Sequence, residues 1–309
     1  MEILVSGSIA YDRIMDFSGK FSEHIVIDKI DNLNVSFMVN GLKENFGGTA
    51  GNISYCLSLL GEKPRTLSTI GHDHQRYIQW FTQNQLSTEN IRIIEDEATA
   101  SAYITTDTSD NQITVFNPGA MKYQSAFDFS QIDPSQSIAI VAPGNLADMM
   151  EFPEIHKKQG IFTIFDPGQS LPAWQKAELT GCISQSNILI SNNYELAMIQ
   201  ERTDLSVKEL LEKVEIIITT KGEEGCEIQT KSGTNLIPAI YTDNAIDPTG
   251  AGDAFRGGLI KGLLNNLPVE RAAMMGTVCS HYVVQTLGTQ EYRFTQQEFT
   301  ETLNQHFGS

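Results

Sequence analysis

Positive charge is scarce in this chain. Its 309 residues hold 21 Lys and Arg against 38 Asp and Glu, a formal net charge of −17. That balance repels phosphate backbones and anionic lipid headgroups, so neither nucleic acid nor an acidic membrane is an expected partner. Cysteine is scarce too. Cys56, Cys182, Cys226 and Cys279 are widely separated and form no C-x-x-C pair. They read as buried free thiols in a reducing compartment, and a cytoplasmic location is expected. No apolar run is long enough to span a bilayer, and no leader is visible before the first strand-like segment. Two phosphate signatures are missing. Without G-x-x-x-x-G-K-[ST] there is no P-loop, and without G-x-G-x-x-G behind the first strand no dinucleotide-binding Rossmann unit is expected. There is no internal repeat and no low-complexity tract.

What the chain does have is concentrated in a few glycine-rich stretches. Near the C-terminus it reads Asp247-Pro248-Thr249-Gly250-Ala251-Gly252-Asp253-Ala254-Phe255. Phe255, Leu259 and Leu263 then fall at i, i+4 and i+8, with Ile260 and Leu264 widening the stripe. A helix is therefore predicted to begin at the glycines. The first turn of a helix has unpaired N–H groups and a partial positive charge, and it attracts anions. Gly250 and Gly252 let a phosphate approach the backbone on either side of Ala251. Asp253, beside that hole, is placed to take a proton from a hydroxyl while the hole neutralises the phosphoryl group under attack. The same residues also fit an ordinary turn in which Asp253 caps the helix. Arg256, one turn further on, is either a phosphate contact or an ion-pairing residue.

A second constellation lies at the N-terminus. Ile3-Leu4-Val5-Ser6-Gly7-Ser8-Ile9-Ala10-Tyr11-Asp12 reads as a buried strand leading into a loop, with Asp12 at the strand's carboxyl end, where open α/β sheets bind ligands. Gly47-Gly48-Thr49-Ala50-Gly51-Asn52 precedes a helical pattern through Ile53, Leu57 and Leu60. Asn52 offers both a donor and an acceptor, and a carboxylate accepts from two neighbouring hydroxyls. Asp12, Gly48 and Asn52 thus form a candidate clamp for a diol, although the glycine pair alone also fits a plain turn. His72 and His74 have H-x-H spacing, but with no third ligand close by they read as a polar loop. Glu223 and Glu224 read as a solvated turn.

Elsewhere short apolar runs alternate with helical ones. Ser137–Val141, Ile161–Phe165, Asn187–Ile190 and Glu215–Thr220 fit buried parallel strands, with helices over Ala147–Gln159, Asn193–Gln200 and Leu205–Lys213. The expected fold is a three-layer α/β/α sandwich with a mostly parallel central sheet. Two stretches break the pattern. Residues 13–46 hold Ile25-Val26-Ile27 and Asn34-Val35-Ser36-Phe37-Met38-Val39, and residues 99–118 hold Ala100–Thr106 and Gln112–Phe116. Both are hairpin material. They are expected to pair into a small β lid over a core made of residues 1–12, 47–98 and 119–309. A lid suits phosphoryl transfer because it keeps water from competing as acceptor. Phe37, Met38 and Val39 either cover a ligand or bury against a second subunit, making a homodimer through the lid.

With these motifs in order, the chain resembles the ribokinase-type (phosphofructokinase-B type) carbohydrate and nucleoside kinases. The Gly-Gly-x-x-x-Asn element matches Gly47–Asn52, and Asp-x-Thr-Gly-Ala-Gly-Asp matches Asp247–Asp253, whose last residue is the family's catalytic base. Asn192-Asn193-Tyr194-Glu195 matches Asn-x-x-Glu, which implies that Asn192 and Glu195 help position the phosphates and a water-bound Mg2+. Thr220, Gly222 and Gly225 match the ATP-side Thr-x-Gly-x-x-Gly. Within the family, Gly7 to Asp12, Phe21-Ser22-Glu23, Val35-Ser36-Phe37, Asn117-Pro118-Gly119-Ala120-Met121 and Gly288-Thr289-Gln290-Glu291 look like adenosine kinases of the actinobacterial type. That resemblance implies ATP-dependent phosphorylation of adenosine to AMP in purine salvage. It places the ribose on Ser8, Asp12, Gly48 and Asn52, and the base against Phe116, Met121 and Gln169. It also implies a monovalent cation, K+, at Asp247. Ala102 and Ser170 depart from the pattern, where an aromatic and a glutamine are expected, so Tyr103 or Phe37 is expected to supply the stacking face. The alternatives are a kinase for another nucleoside or a sugar, and a catalytically silent nucleoside- or nucleotide-binding protein.

Overall fold

Short apolar runs bounded by polar turns become the strands of a computed structural model that describes residues 1–25, 31–109 and 111–308. In chain order they are β1 (Glu2–Ser6), β2 (Ala10–Phe17), β3 (Val39–Gly47), β4 (Arg65–Gly71), β5 (Ile91–Ile94), β6 (Ala100–Thr106), β7 (Gln112–Asn117), β8 (Ser137–Val141), β9 (Phe162–Phe165), β10 (Ile188–Asn192), β11 (Ile216–Thr220), β12 (Cys226–Thr230) and β13 (Gly233–Ile237). Nine of them form one sheet in the order β13-β12-β11-β10-β9-β8-β1-β4-β5, parallel except for β12 and β13. Strand residues alternate between two cores, as a period of two requires. Leu4, Val141, Phe165, Leu189 and Ile217 pack on one face with Met149 and Phe152 of the helix Leu146–Gln159. Ile3, Val5, Ile140, Ile164, Ile190 and Ile218 pack on the other with Ile53 and Leu57 of Thr49–Leu59 and Phe255 and Leu259 of Ala251–Leu264. Each buried side chain of this size contributes roughly 1.5–3 kcal/mol. The three-layer α/β/α arrangement is the one expected from the sequence. Among the described residues no helix is long and apolar enough to cross a membrane.

The remaining four strands make a separate sheet in the order β3-β2-β6-β7. It joins the two stretches expected to pair, although the strands of the first are not those expected. Strand β2 begins at Ala10, so Asp12 lies inside a lid strand and not at the end of a core strand. Its partner is Val39–Gly47, in antiparallel register from Ala10 with Gly47 to Phe17 with Val39. Residues Asn34–Met38 have no regular structure, and Val26 and Ile27 lie outside the described residues. Along β2, Ala10, Tyr11 and Phe17 are buried, Asp12 to Met15 are partly buried and Asp16 is exposed. The helix expected over Leu205–Lys213 is shorter, Val207–Leu210. Asp204 takes the left-handed conformation that ends the preceding helix, and a Ser206/Glu209 capping box starts the next one only at Val207.

Arg13 fastens the lid to the core. Its guanidinium pairs with Glu44 on β3, donates to Ser101 and Tyr103 on β6, and reaches Asp73 in the loop after β4. Asp73 in turn accepts from the Thr99 N–H and hydroxyl. Register places Arg13 opposite Tyr103 and Asp12 opposite Ala102. Tyr103 therefore lies on the face away from Asp12, with its hydroxyl bonded to Arg13, and does not supply the stacking face considered for it.

Candidate active site

The two glycine-rich stretches meet. Asn52, in the first turn of Thr49–Leu59, donates through Nδ2 to Asp253 Oδ2 at 2.8 Å, across 201 residues of sequence. Gly48 makes the approach possible. Its φ of 89° is left-handed, and a Cβ there would lie 2.6 Å from the Ala10 N and the Ser8 O, both backbone atoms. Ser8 is buried behind this turn, its hydroxyl accepting from the Thr49 N–H at 3.1 Å.

Asp253 stands in the first turn of Ala251–Leu264, behind Gly250 at φ 82°. Of the three N–H groups expected to line an anion hole, that of Ala251 is already bonded to the Pro248 carbonyl at 3.1 Å. Those of Gly252 and Asp253 have no acceptor among the described residues. The hole is thus two N–H groups wide, because the turn at Pro248 consumes the first. Arg256 shows the ion-pairing role of the two left open. It is buried, its Nε bonds Asp166 Oδ2 at 2.5 Å, and Nη1 donates to the Gly252 carbonyl at 2.8 Å. It braces the turn that carries the hole.

Burial dominates the electrostatics. Desolvation pushes the Asp253 carboxyl up to about 6; Arg256 and the Asn52 amide oppose the rise, and the charges of Asp166 and Asp12 add to it. Asp12 is likewise pushed up to about 6, by desolvation first and then by Asp247. Asp12 thus faces Asp247 on one side and Asp253 on the other. Asp247 is held by the N–H groups of Thr249 and Gly288 at 2.9 and 3.2 Å.

A cavity of about 430 Å³ opens beside the hole. Thr220, Gly222 and Gly225, the residues matched to the ATP side, line it together with Asp247, Ala251 and Gly252. Its size suits a nucleotide-sized molecule. Asn192 caps the helix Asn193–Thr203 in a reciprocal box with Glu195: Asn192 Oδ1 accepts from the Glu195 N–H at 2.7 Å and Glu195 Oε2 from the Asn192 N–H at 2.8 Å. Burial raises the Glu195 carboxyl, with Asp166 adding to it. Among the described residues no three His, Cys, Asp or Glu side chains are grouped to hold a metal. Glu195 Oε1, the carboxylate oxygen outside the capping box, is a hard oxygen of the kind a magnesium ion takes.

The residues matched to the base pocket are more dispersed. Phe116 sits opposite Ala102, which sits opposite Asp12, so all three share one lid face, and Phe116 is 45% exposed. Phe37 packs against Phe17 and Phe21 with ring centroids 5.0 Å away from each. Met121 is partly buried and Gln169 is exposed, in the 3-10 turn Gly168–Ala173. Sequence reasoning missed Asp166, Tyr77, Trp80 and the role of Gln290. Asp166 was legible as the acid closing the run Ile161–Phe165; the aromatic pair carried no signal beyond an apolar helix.

Comparison with known proteins shows the family. A nucleoside kinase from Burkholderia thailandensis, solved with inosine, superposes with a TM-score of 0.87 at 38% identity, covering 99% of this chain and 98% of that one. The same protein solved with ADP and inosine gives 0.84, covering 99% and 96%. A nucleoside kinase of Methanocaldococcus jannaschii is 29% identical over 291 residues, 91% of this chain and 92% of the relative. The sequence model of the pfkB family carbohydrate kinases matches residues 7–295. With that match across nearly its whole length, the chain belongs to the pfkB family of carbohydrate kinases.

Proposed function

We propose that this protein is a nucleoside kinase that transfers the γ-phosphoryl of ATP to the 5′-hydroxyl of adenosine, giving AMP and ADP. One observation carries the reading: the hydrogen bond from Asn52 to Asp253 joins a diol clamp to a base seated at an anion hole. The ribose diol binds Asp12, Gly48 and Asn52, with Ser8 behind. Phe116 and Phe37 cover the base, and Met121 and Gln169 edge it. ATP lies along Thr220, Gly222 and Gly225, its phosphates towards Asn192 and the Gly252 and Asp253 N–H groups. Asp253 orients the hydroxyl and accepts its proton as those groups take up charge on the phosphoryl. Mg2+, when bound, neutralises phosphate charge, with Glu195 as its ligand through water. The solved complexes of the Burkholderia relative, which contain ADP and inosine, support both the donor and the acceptor class.

They also favour a second reading, in which inosine or another purine nucleoside is the acceptor. Ala102 at the lid position opposite Phe116 leaves room for a base that sits differently. A panel of adenosine, inosine, guanosine, ribose and fructose, read by coupled ADP release, separates these. Adenosine is expected to give the highest kcat/KM, at least about tenfold above the free sugars. A preference for inosine moves the assignment to the second reading, and a preference for ribose or fructose overturns both. Two further parts of the proposal are K+ at Asp247 and a homodimer through the lid, where Met38, Leu42 and Val115 are exposed. Turnover indifferent to potassium, and a monomer mass by light scattering, would remove them.

A further inference from the structure

Asn52 uses only one end of its amide on Asp253. The other end, Oδ1, accepts from Gln290 Nε2 at 2.9 Å. Gln290 Nε2 also donates to the Tyr77 hydroxyl at 2.8 Å, and Gln290 Oε1 accepts from Trp80 Nε1 at 2.9 Å. The Tyr77 hydroxyl donates to the Gly47 carbonyl at 2.6 Å. Gln290 and Tyr77 are 1% and 0% exposed. The chain of bonds thus runs from an indole on the helix Gln75–Gln83 to the carboxylate on Ala251–Leu264.

Its polarity is forced. An indole nitrogen donates and has no lone pair to accept with. The Gln290 atom facing Trp80 is therefore its oxygen, and its nitrogen faces Asn52 and Tyr77. A donor there requires an acceptor, so Asn52 presents Oδ1 to Gln290 and is left with Nδ2 for Asp253. Tyr77 has one proton, which goes to Gly47, and it meets Gln290 with a lone pair. Flipping either amide would set two donors or two acceptors against each other in a buried site, leaving groups unsatisfied there.

We infer that Trp80 and Gln290 are positioning residues of this kinase: they lock the Asn52 amide so that it donates to Asp253, which holds the carboxylate in its base form and aimed at the acceptor hydroxyl. The inference deepens the kinase reading and rests on it. Other groups facing Asp253 are Arg256 on its own helix, Asp166 after β9, Asp12 on β2 and the phenols of Tyr77 and Tyr292. Arg256 favours the ionised form, and Asp166 and Asp12 oppose it. Burial raises both phenols, so they stay neutral. None of these charges is altered in Trp80→Phe or Gln290→Met, whereas Gln290→Glu adds a carboxylate whose own charge also raises Asp253, so the neutral variants carry the polarity test.

The test reverses the polarity. In Gln290→Glu one carboxylate oxygen accepts from Trp80 and the other needs a donor, so Asn52 turns its NH2 to it and its carbonyl to Asp253. Carbon-13 NMR of the ligand-free chain, labelled at aspartate Cγ and assigned with Asp253→Asn, reads the result directly. The Asp253 titration is expected to move up by about one pH unit or more. The acid limb of kcat/KM should move with it. Trp80→Phe keeps an aromatic of similar size but frees Gln290 to flip; a smaller upward shift is expected, and this variant reads the same quantity if Gln290→Glu does not fold. Gln290→Met separates packing from polarity, since a purely structural role would lower the melting temperature in both neutral variants without moving the titration. An unchanged Asp253 titration in folded Trp80→Phe overturns the inference. Failure of the kinase reading looks different: the wild-type chain would transfer phosphate to no nucleoside, whatever the titration shows.

Discussion

Asp253→Asn is expected to lower kcat by about 10²–10⁴-fold and, at the same time, to raise the melting temperature. The first effect follows from position. Asp253 lies in the turn whose free N–H groups form the proposed anion hole, and its carboxylate is the proposed acceptor of the hydroxyl proton. An asparagine keeps the acceptor oxygen for Asn52 but has no base. The second effect follows from burial. The folded carboxyl is pushed up to about 6 from the ordinary value of 3.8. A raised carboxyl favours the protonated fold, so its penalty is absent below pH 3.8, grows through the interval and is fully present above about 6. At neutral pH a shift of this size corresponds to the order of 1–3 kcal/mol, which a neutral side chain relieves. Arg256 keeps Asp166 as its partner in the variant, so no buried cation is stranded. Turnover and thermal melting, measured on the same preparation, check both halves. Near-normal turnover would remove Asp253 as the base, and a lower melting temperature would remove the burial argument.

The pH dependence should be equally large. Asp12 and Asp253 are both pushed up to about 6, and in the proposed mechanism both act ionised: Asp12 to accept ribose hydroxyls, Asp253 to accept a proton. Protonating either one disables the site. Below about pH 6, log kcat/KM for the nucleoside is therefore expected to fall with a slope approaching two, a loss of about 10²-fold by pH 5. Asp12→Asn should reduce that slope to one, on a lower plateau. A wild-type slope of one would show that only one of the two carboxylates must be charged.

Much of this was legible in the residues themselves. Ser137–Val141 and the glycine-led helix after Gly250 follow directly from apolar runs and periodicity, because local pattern and tertiary burial agree there. Strand β2 was not legible as a lid strand. Asp12 follows an uninterrupted apolar run from β1, and only pairing with Val39–Gly47, decided far along the chain, makes it a lid residue. The hydrogen bond between Asn52 and Gln290 spans 238 residues and involves two neutral amides with no charge pattern to announce it. The same holds for Trp80 and Tyr77, which read as core aromatics and are also hydrogen-bonding partners. Tyr103 shows the opposite error: a plausible residue type on the wrong face, since one position along a strand turns a side chain over.

Phosphorus NMR of the products decides whether the chain is a nucleoside 5′-kinase. With ATP, Mg2+ and a purine nucleoside, one new phosphomonoester signal is expected, split by the two C5′ protons and rising one for one with ADP. Phosphate on the 2′- or 3′-oxygen, phosphate appearing only when free ribose or fructose replaces the nucleoside, or ADP formed without a phosphorylated acceptor would contradict it.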